Sequence, residues 1–490
     1  MTGKSSTQNE PCALVVLGLP FHNVTFDEAV AWVRARMDGG QPGYVVTVNV
    51  DFIMQAWRDP EMQRILIEAD LVVADGGPIV WLSQLFGPRL KERVTGSDLT
   101  PMLAEAACED GRSIFLLGGA AGVGERAAAA LTRRHPGLRI AGRYSPPLAD
   151  VLNMDHGGIL KRIGEAHPAL LLVAFGAPKQ EKWINMHFRQ WAVPVSIGIG
   201  GTLDFMAGRQ TSAPRLVQKI GMEWIWRWGT NPKRLTRRYL GNLGFLGTAV
   251  LKLWRARHSH NPAEPRVAVP SAAAQSWAGA EAVSFDPLPD EAAARVARAR
   301  WRGLGARGPL IVDLSRMTWL NSLELGVLLT VSRDVRRAGR RVYLCGVCGR
   351  VNRLIRTCHL DAYLDLPKTN EEMAAVLAAF EKSPADGIFL SEREDGLRIV
   401  LPAELTASNL DAFREKLAAG VSAYLERPGA RVLRVDAGAL TFLDSAAMGY
   451  LVHMRQQALT AGASARFNGF HGLAQQSLKI ARLDSVLTDK

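Results

Sequence analysis

Short β-rich apolar runs, each ending in a polar or Gly-rich loop and separated by helix-like stretches, constrain this chain more than any other feature. Tyr44–Val50, Leu71–Ala74, Ile114–Leu117, Leu170–Phe175 and Val195–Ile199 are such runs; Thr25–Met37 and Leu99–Cys108 are helical stretches among them. Strand, loop and helix in alternation predict an α/β domain with a parallel sheet covered on both faces. In such a sheet the ligand-binding loops lie just past the carboxyl ends of the strands.

The 490 residues exceed one ordinary core, so two to four domains are expected. A 48% apolar and 22% charged composition is that of a soluble globular protein. The net charge of +12 suits an anionic partner, and it is unevenly placed. From Arg215 to Arg257 there are ten Lys and Arg against one acid, Glu223. Five cysteines form an odd, sparse set that predicts a reduced, cytoplasmic setting rather than a disulfide scaffold. The polar first residues lack a secretory signal pattern, and no apolar run reaches the ~18 residues a spanning helix needs.

The sequence predicts an N-terminal domain over residues 12–257 and a linker over 258–279, rich in Ala, Pro, Ser and Asn. Beyond the linker one unit occurs twice, with Ser322 and Ser445 equivalent at an offset of 123 residues. Each copy carries Val-Asp, then Trp-Leu-Asn-Ser or Phe-Leu-Asp-Ser, then Gly326 or Gly449 and an Ala-Gly pair. Two copies are too few for a solenoid. They predict two small α/β domains, 280–382 and 386–490.

Several loops of the N-terminal domain carry groups suited to sugar-nucleotide chemistry. These are Thr47-x-Asn49, Asp75-Gly76, Arg93-x-x-Gly96-Ser97-Asp98 and Gly176-x-Pro178-Lys179-Gln180-Glu181, then Gly198-x-Gly200-Gly201 to Asp204-Phe205, Ala213-Pro214 and Glu223-Trp224-x-x-Arg227. Seven blocks in series, over about residues 12–257, resemble the WecG/TagA/CpsF family of glycosyltransferases. The resemblance implies a Rossmann-like fold and inverting transfer of a sugar, hexosyl or N-acetylmannosaminyl-like, from a UDP-sugar. The acceptor it implies is a saccharide linked by pyrophosphate to a polyprenyl lipid. Asp75 matches the family's proposed base, which takes the proton of the attacking hydroxyl. Thr47, Asn49, Arg93, Asp98 and Gln180 match positions that bind the sugar nucleotide. Arg227, Arg234 and Arg237 are candidates for the arginines that the family's C-terminal appendage brings to the site. No Asp-x-Asp stands in this region, so no metal cofactor is expected and arginines would stabilise the leaving UDP.

Unaided, Asp75 reads first as a helix cap or a brace for a Gly turn, Arg93 as a surface ion pair, and Gln180 says little. Gly118-Gly-Ala-Ala-Gly122-Val-Gly124 follows a strand and fits a dinucleotide-binding pattern, which raises an oxidoreductase as a rival. That loop follows a middle strand, however, and none of the seven Tyr has the Lys four residues later that a short-chain dehydrogenase needs. It reads instead as a phosphate-side turn at a helix N-terminus. Cys345-Gly-Val-Cys348 with Cys358-His359 invites a zinc site, but the first Cys ends a buried strand and structural zinc pairs usually sit on turns; no metal is expected.

Trp224, Trp226 and Trp228, the basic run Lys233 to Arg238 and Leu240–Trp254 predict an appendage lying in a membrane interface. A terminal helix packed on its own domain is the plainer alternative, and nucleic-acid binding is not expected. The two repeats resemble the STAS fold of anti-sigma-factor antagonists, in which the Ser after Asp is phosphorylated. Ser445 follows Asp444 and is the better candidate; Ser322 follows Asn321. An N-cap role for Ser445 is equally consistent with the sequence. The combined expectation is a cytoplasmic glycosyltransferase held peripherally on the inner face of the membrane, with STAS-like domains that tether it or bind a protein partner. A homo-oligomer is left open. A regulatory partner-switching scaffold with a degenerate transferase domain is the alternative.

Overall fold

In a computed structural model the chain is described except at residues 1–9, 40, 209–231, 259–265, 271–279, 303, 305–307, 383–388, 394–395, 428–430 and 488–490. Most of the expected linker, Trp224 to Trp228 and Arg227 therefore lie outside the described residues.

An antiparallel hairpin, β1 (Ala13–Val16) and β2 (Leu19–His22), opens the N-terminal domain. Helix α1 (Phe26–Met37) follows behind a Thr25–Glu28 capping box. The sheet strands are β3 (Gly43–Val48), β4 (Leu71–Ala74), β5 (Ser113–Gly118), β6 (Arg139–Tyr144), β7 (Leu170–Ala174) and β8 (Val195–Gly198). Between them run α2 (Val50–Ala56), α3 (Pro60–Glu68), α4 (Gly77–Ser83), α5 (Gly96–Glu109), α6 (Val123–Arg134), α7 (His156–Ala166) and α8 (Lys179–His187); α9 (Thr202–Met206) follows β8. All six strands are parallel, in the order β4-β3-β8-β7-β5-β6.

Side chains alternate between two cores, as the period of a strand requires. Tyr44, Val46, Val72, Phe115, Leu117, Leu171 and Val173 face one, and Val45, Leu71, Val73, Ile114, Leu116, Leu170 and Leu172 the other. The run expected to continue to Val50 stops at Val48, because the Asn49 side chain accepts from the Asp51 and Phe52 amides and starts α2.

The first repeat domain has a three-stranded parallel sheet with Leu310–Asp313 in the centre, flanked by Glu281–Ser284 and Val342–Cys345. Its Ser322–Arg337 helix packs on the β1–β2 hairpin, and one hydrophobic cluster runs unbroken from the sheet's Val46 through Leu14 to Leu328 and Leu354. At Gly326 the helix meets the carbonyl of Ala13 so closely that a Cβ would overlap it. The second repeat domain has its own core around Leu433, Leu451 and Phe467. Its four-stranded sheet places Phe389–Arg393 antiparallel to Gly396–Val400, then Val432–Asp436 and Ser464–Asn468 in parallel.

The Pro232–His258 helix carries Arg234 and Arg237 on its first turns; their side chains are not among those described. Ala249, Leu253 and Ala256 are buried. The helix packs against α2 and the Gly349–Thr357 helix of the first repeat domain, with Phe245 edge-on to Trp57 at 5.0 Å. On the opposite side Leu240, Leu243, Leu251 and Trp254 are exposed. No helix among the described residues is long and apolar enough to cross a membrane.

Candidate active site

The carboxyl ends of β4, β3, β8 and β7, four neighbours in the sheet, collect the predicted residues. Adjacent strands lie ~4.8 Å apart, so this edge spans about 15 Å. Thr47 is buried near the end of β3, and Gly96 at the start of α5 sits over it: a Cβ there would stand 3.0 Å from Thr47 Oγ1. Asn49 follows, half-buried, with its side-chain oxygen committed to capping α2 at 3.0 and 3.3 Å.

Asp75 leaves β4 with its amide still bonded to the Val48 carbonyl at 2.8 Å, which keeps it beside Asn49. Gly76 has φ +147°, a conformation that favours glycine, and it turns the chain into α4. The cap position of α4 is Gly76, one residue after Asp75. The Arg93 loop is pinned next to β4 by the Val94 amide on the Ala74 carbonyl, 3.0 Å. Thr95 caps α5 and donates to Asp98 Oδ2 at 2.7 Å; Arg93 Nη2 stands 3.9 Å from the same oxygen.

Gln180 is deeply buried beneath the loops. Its Oε1 accepts from the Gly176 and Gly200 amides, both at 3.1 Å, and its Nε2 donates to Glu181 Oε1 at 2.7 Å. The side chain thus ties the loop after β7 to the loop after β8. Gly198 has no room for a Cβ, which would overlap the Gln180 amide and the Glu181 carboxyl.

Glu181 closes the Gly176–Glu181 motif, and the sequence assigns it no role. It is buried, and burial pushes its carboxyl up to about 7, the hydrogen bond from Gln180 notwithstanding. Lys182 follows it in the sequence, but that ammonium pairs with Asp59 and Glu61 instead. Helices α5 and α8 start at this edge and α6 beside it, after β5, so their N-terminal dipoles favour an anionic ligand there. The Gly118–Gly122 turn lies further along, at the end of β5, where a Cβ on Gly118 would meet the Ala174 carbonyl at 2.6 Å.

The family model described as Glycosyl transferase WecG/TagA/CpsF family matches residues 14–259. This chain belongs to that family. Its transferase domain is similar to the N-acetylglucosaminyldiphosphoundecaprenol N-acetyl-beta-D-mannosaminyltransferase of Staphylococcus aureus (strain MRSA252), 30% identical over 224 residues, 45% of this chain and 86% of the relative. The protein of the same name from Bacillus spizizenii is 32% identical over 220 residues, covering 45% and 83%. The STAS domain family matches residues 286–374, and the Mlab, STAS domain family residues 388–488.

Both STAS serines face the transferase domain. The Ser322 amide donates to the Phe86 carbonyl at 3.1 Å, and its hydroxyl is buried against Gly87. Ser445 sends its amide to Glu61 Oε1 at 2.5 Å and its hydroxyl to Glu61 Oε2 at 2.8 Å. The N-cap role considered for Ser445 belongs to Asp444, whose side chain accepts from the Ala447 amide; Asn321 does the same in the first copy. Among the described residues no three His, Cys, Asp or Glu are grouped to hold a metal. Cys358 is buried with its thiol pushed up to about 12 by burial, and its carbonyl accepts from Gln63.

Proposed function

We propose that the chain is an inverting, metal-independent transferase that moves a sugar from a UDP-sugar to a polyprenyl-pyrophosphate-linked saccharide during cell-surface polymer synthesis. The observation that carries this reading is the gathering of Thr47, Asn49, Asp75, Arg93 and the Gly176 and Gly198 loops at one sheet edge, in a domain whose relatives act on N-acetylglucosaminyldiphosphoundecaprenol. The acceptor hydroxyl attacks the anomeric carbon while the bond to the UDP oxygen breaks, and UDP leaves with the electron pair. Asp75 takes the hydroxyl proton. Arg93, with Arg227, Arg234 and Arg237 from the following segment, offsets the charge growing on the diphosphate. Helix N-termini at the edge add to that field.

The exposed stripe Leu240, Leu243, Leu251 and Trp254, flanked by Arg255, suits an anionic lipid surface, where the acceptor resides. The test is UDP release from a panel of UDP-sugars with a lipid-linked acceptor. Asp75→Asn is expected to cut turnover about 10²–10⁴-fold while UDP still raises the melting temperature. Near-normal turnover in that variant removes Asp75 as the base. No turnover by the wild type with any donor overturns the whole reading, and loss of activity in EDTA overturns its metal independence.

A further inference from the structure

The grip of the second STAS domain on Glu61 leads directly to the donor cleft. Glu61 is 3% exposed, and both its oxygens are engaged by Ser445 at the start of a 16-residue helix. A helix N-terminus is where a carboxylate is best held. Oε2 of the same carboxylate pairs with Lys182 Nζ at 2.7 Å, and Lys182 pairs equally closely with Asp59, the cap of α3. Burial opposes the charge of Lys182, yet its two carboxylates raise its pKa. Lys182 lies on α8, as does Gln180, whose carbonyl holds Gly176 and Gly200. The Ser445 helix also packs on α8 itself, and Gly449 lies against Leu152 in the turn that α8 touches.

We propose that the second STAS domain is a docked positioning element of the transferase site, with Ser445, Glu61 and Lys182 as a relay that sets α8 and, through Gln180, the two loops of the donor cleft. Ser445, Glu61 and Lys182 are positioning residues; none is required to touch the donor. The relay explains why three tightly paired ionic groups, the buried Glu61 and the half-buried Asp59 and Lys182, sit beneath a cleft whose chemistry does not use them. In this arrangement the transferase domain is itself the partner of the STAS surface that carries Ser445. The inference about the loops stands on the geometry, and its effect on the donor rests on the function proposed above.

The experiment uses the full chain with Ser445→Ala, Ser445→Thr, Glu61→Gln and Lys182→Met. Hydrogen exchange at the Gly176 and Gly200 amides reads the loops without any ligand; UDP affinity and donor KM read the site. Ser445→Ala and Glu61→Gln are expected to lower protection of both amides about 3- to 30-fold. They should also raise the UDP Kd and donor KM by a similar factor, with kcat at saturating donor within about two-fold. Ser445→Thr, which keeps both donors, should restore the wild-type values. Combining Ser445→Ala with Lys182→Met should add little to the larger single effect. Unchanged amide protection in Ser445→Ala and Glu61→Gln overturns the relay, as do multiplying effects in the double variant. A wild type that binds no UDP while the amides still respond overturns the proposed function and leaves the relay standing.

Discussion

The two STAS domains share a sequence pattern yet are attached to the transferase domain by different physics. The first merges its core with the transferase: Leu328 and Leu354 belong to the cluster that holds Val46 and Leu14. The second keeps its own core, and beside helix contacts such as Gly449 against Leu152 it meets the rest through a cluster of charges. Glu404 of that domain receives Arg64 of the transferase at 2.8 Å, and Arg336 and Arg341 of the first STAS domain at 2.7 and 3.2 Å. Burial would raise the Glu404 pKa, but these three guanidiniums outweigh it and hold the carboxyl far below its usual range. Arg64 also stacks over Phe442 at 4.6 Å. One repeat is thus structural to the catalytic domain, whereas the other is seated on it. A large apolar seam cannot open without exposing core. An ionic seam can open, because water re-solvates its charges.

Leu328 and Leu451 are equivalent positions, both essentially inaccessible, and they give the sharpest test of that contrast. Leu328→Ala should cost about 2–5 kcal/mol and lower the melting of the transferase and first STAS domain together. Leu451→Ala should cost a similar amount within the second STAS domain while leaving the transferase transition in place. Calorimetry resolves the two cases; a common shift in both variants would erase the distinction.

Next in size, Glu404→Ala leaves Arg64, Arg336 and Arg341 crowded without their shared carboxylate. About 3 kcal/mol of seating energy should be lost, read as faster hydrogen exchange along the Glu404–Leu405 and Phe442–Leu443 pair. Intact protection there would mean that the charge cluster does not hold the domain.

The smallest effect concerns a buried carboxyl handled the other way. Glu404 is kept ionised by cations, whereas Glu181 is kept neutral by burial, with a pKa of about 7. A raised carboxyl pKa favours the folded state fully below the unfolded value near 4.5, and that advantage is lost as pH rises through 7. Glu181→Gln, which has no proton to lose, should therefore be more stable than wild type at pH 6 by about 2 kcal/mol and close to it at pH 4.5 and below. Parallel stability curves from pH 5 to 8 would show that Glu181 does not titrate in this range.

Much of the candidate edge was legible because its signals are local. Apolar runs end at Val48, Ala74, Ala174 and Gly198, and Asn49, Asp75, Gln180 and Gly200 follow within a few positions. The role of Gln180 was less accessible. A motif places a residue after a strand, but only the fold shows its amide turned under the loops to hold Gly176 and Gly200. The repeats were visible at their fixed offset, whereas their seating was not. Ser445 meets Glu61 across 384 residues, and Gly326 accommodates Ala13, contacts that leave no periodic trace in the chain. The β1–β2 hairpin escaped for a related reason: two four-residue strands outside the parallel sheet carry too short a pattern to separate from their neighbours.

The Pro232–His258 helix has a consequence for handedness in space. Its buried residues, Ala249, Leu253 and Ala256, and its exposed ones, Leu240, Leu243, Leu251 and Trp254, lie on opposite sides of one rod. Because the buried side is wedged between α2 and the first STAS domain, anything that engages the bare side must arrive from a single direction. The molecule therefore offers that stripe in one direction only, and the first STAS domain, far from being cargo, helps to fix which one.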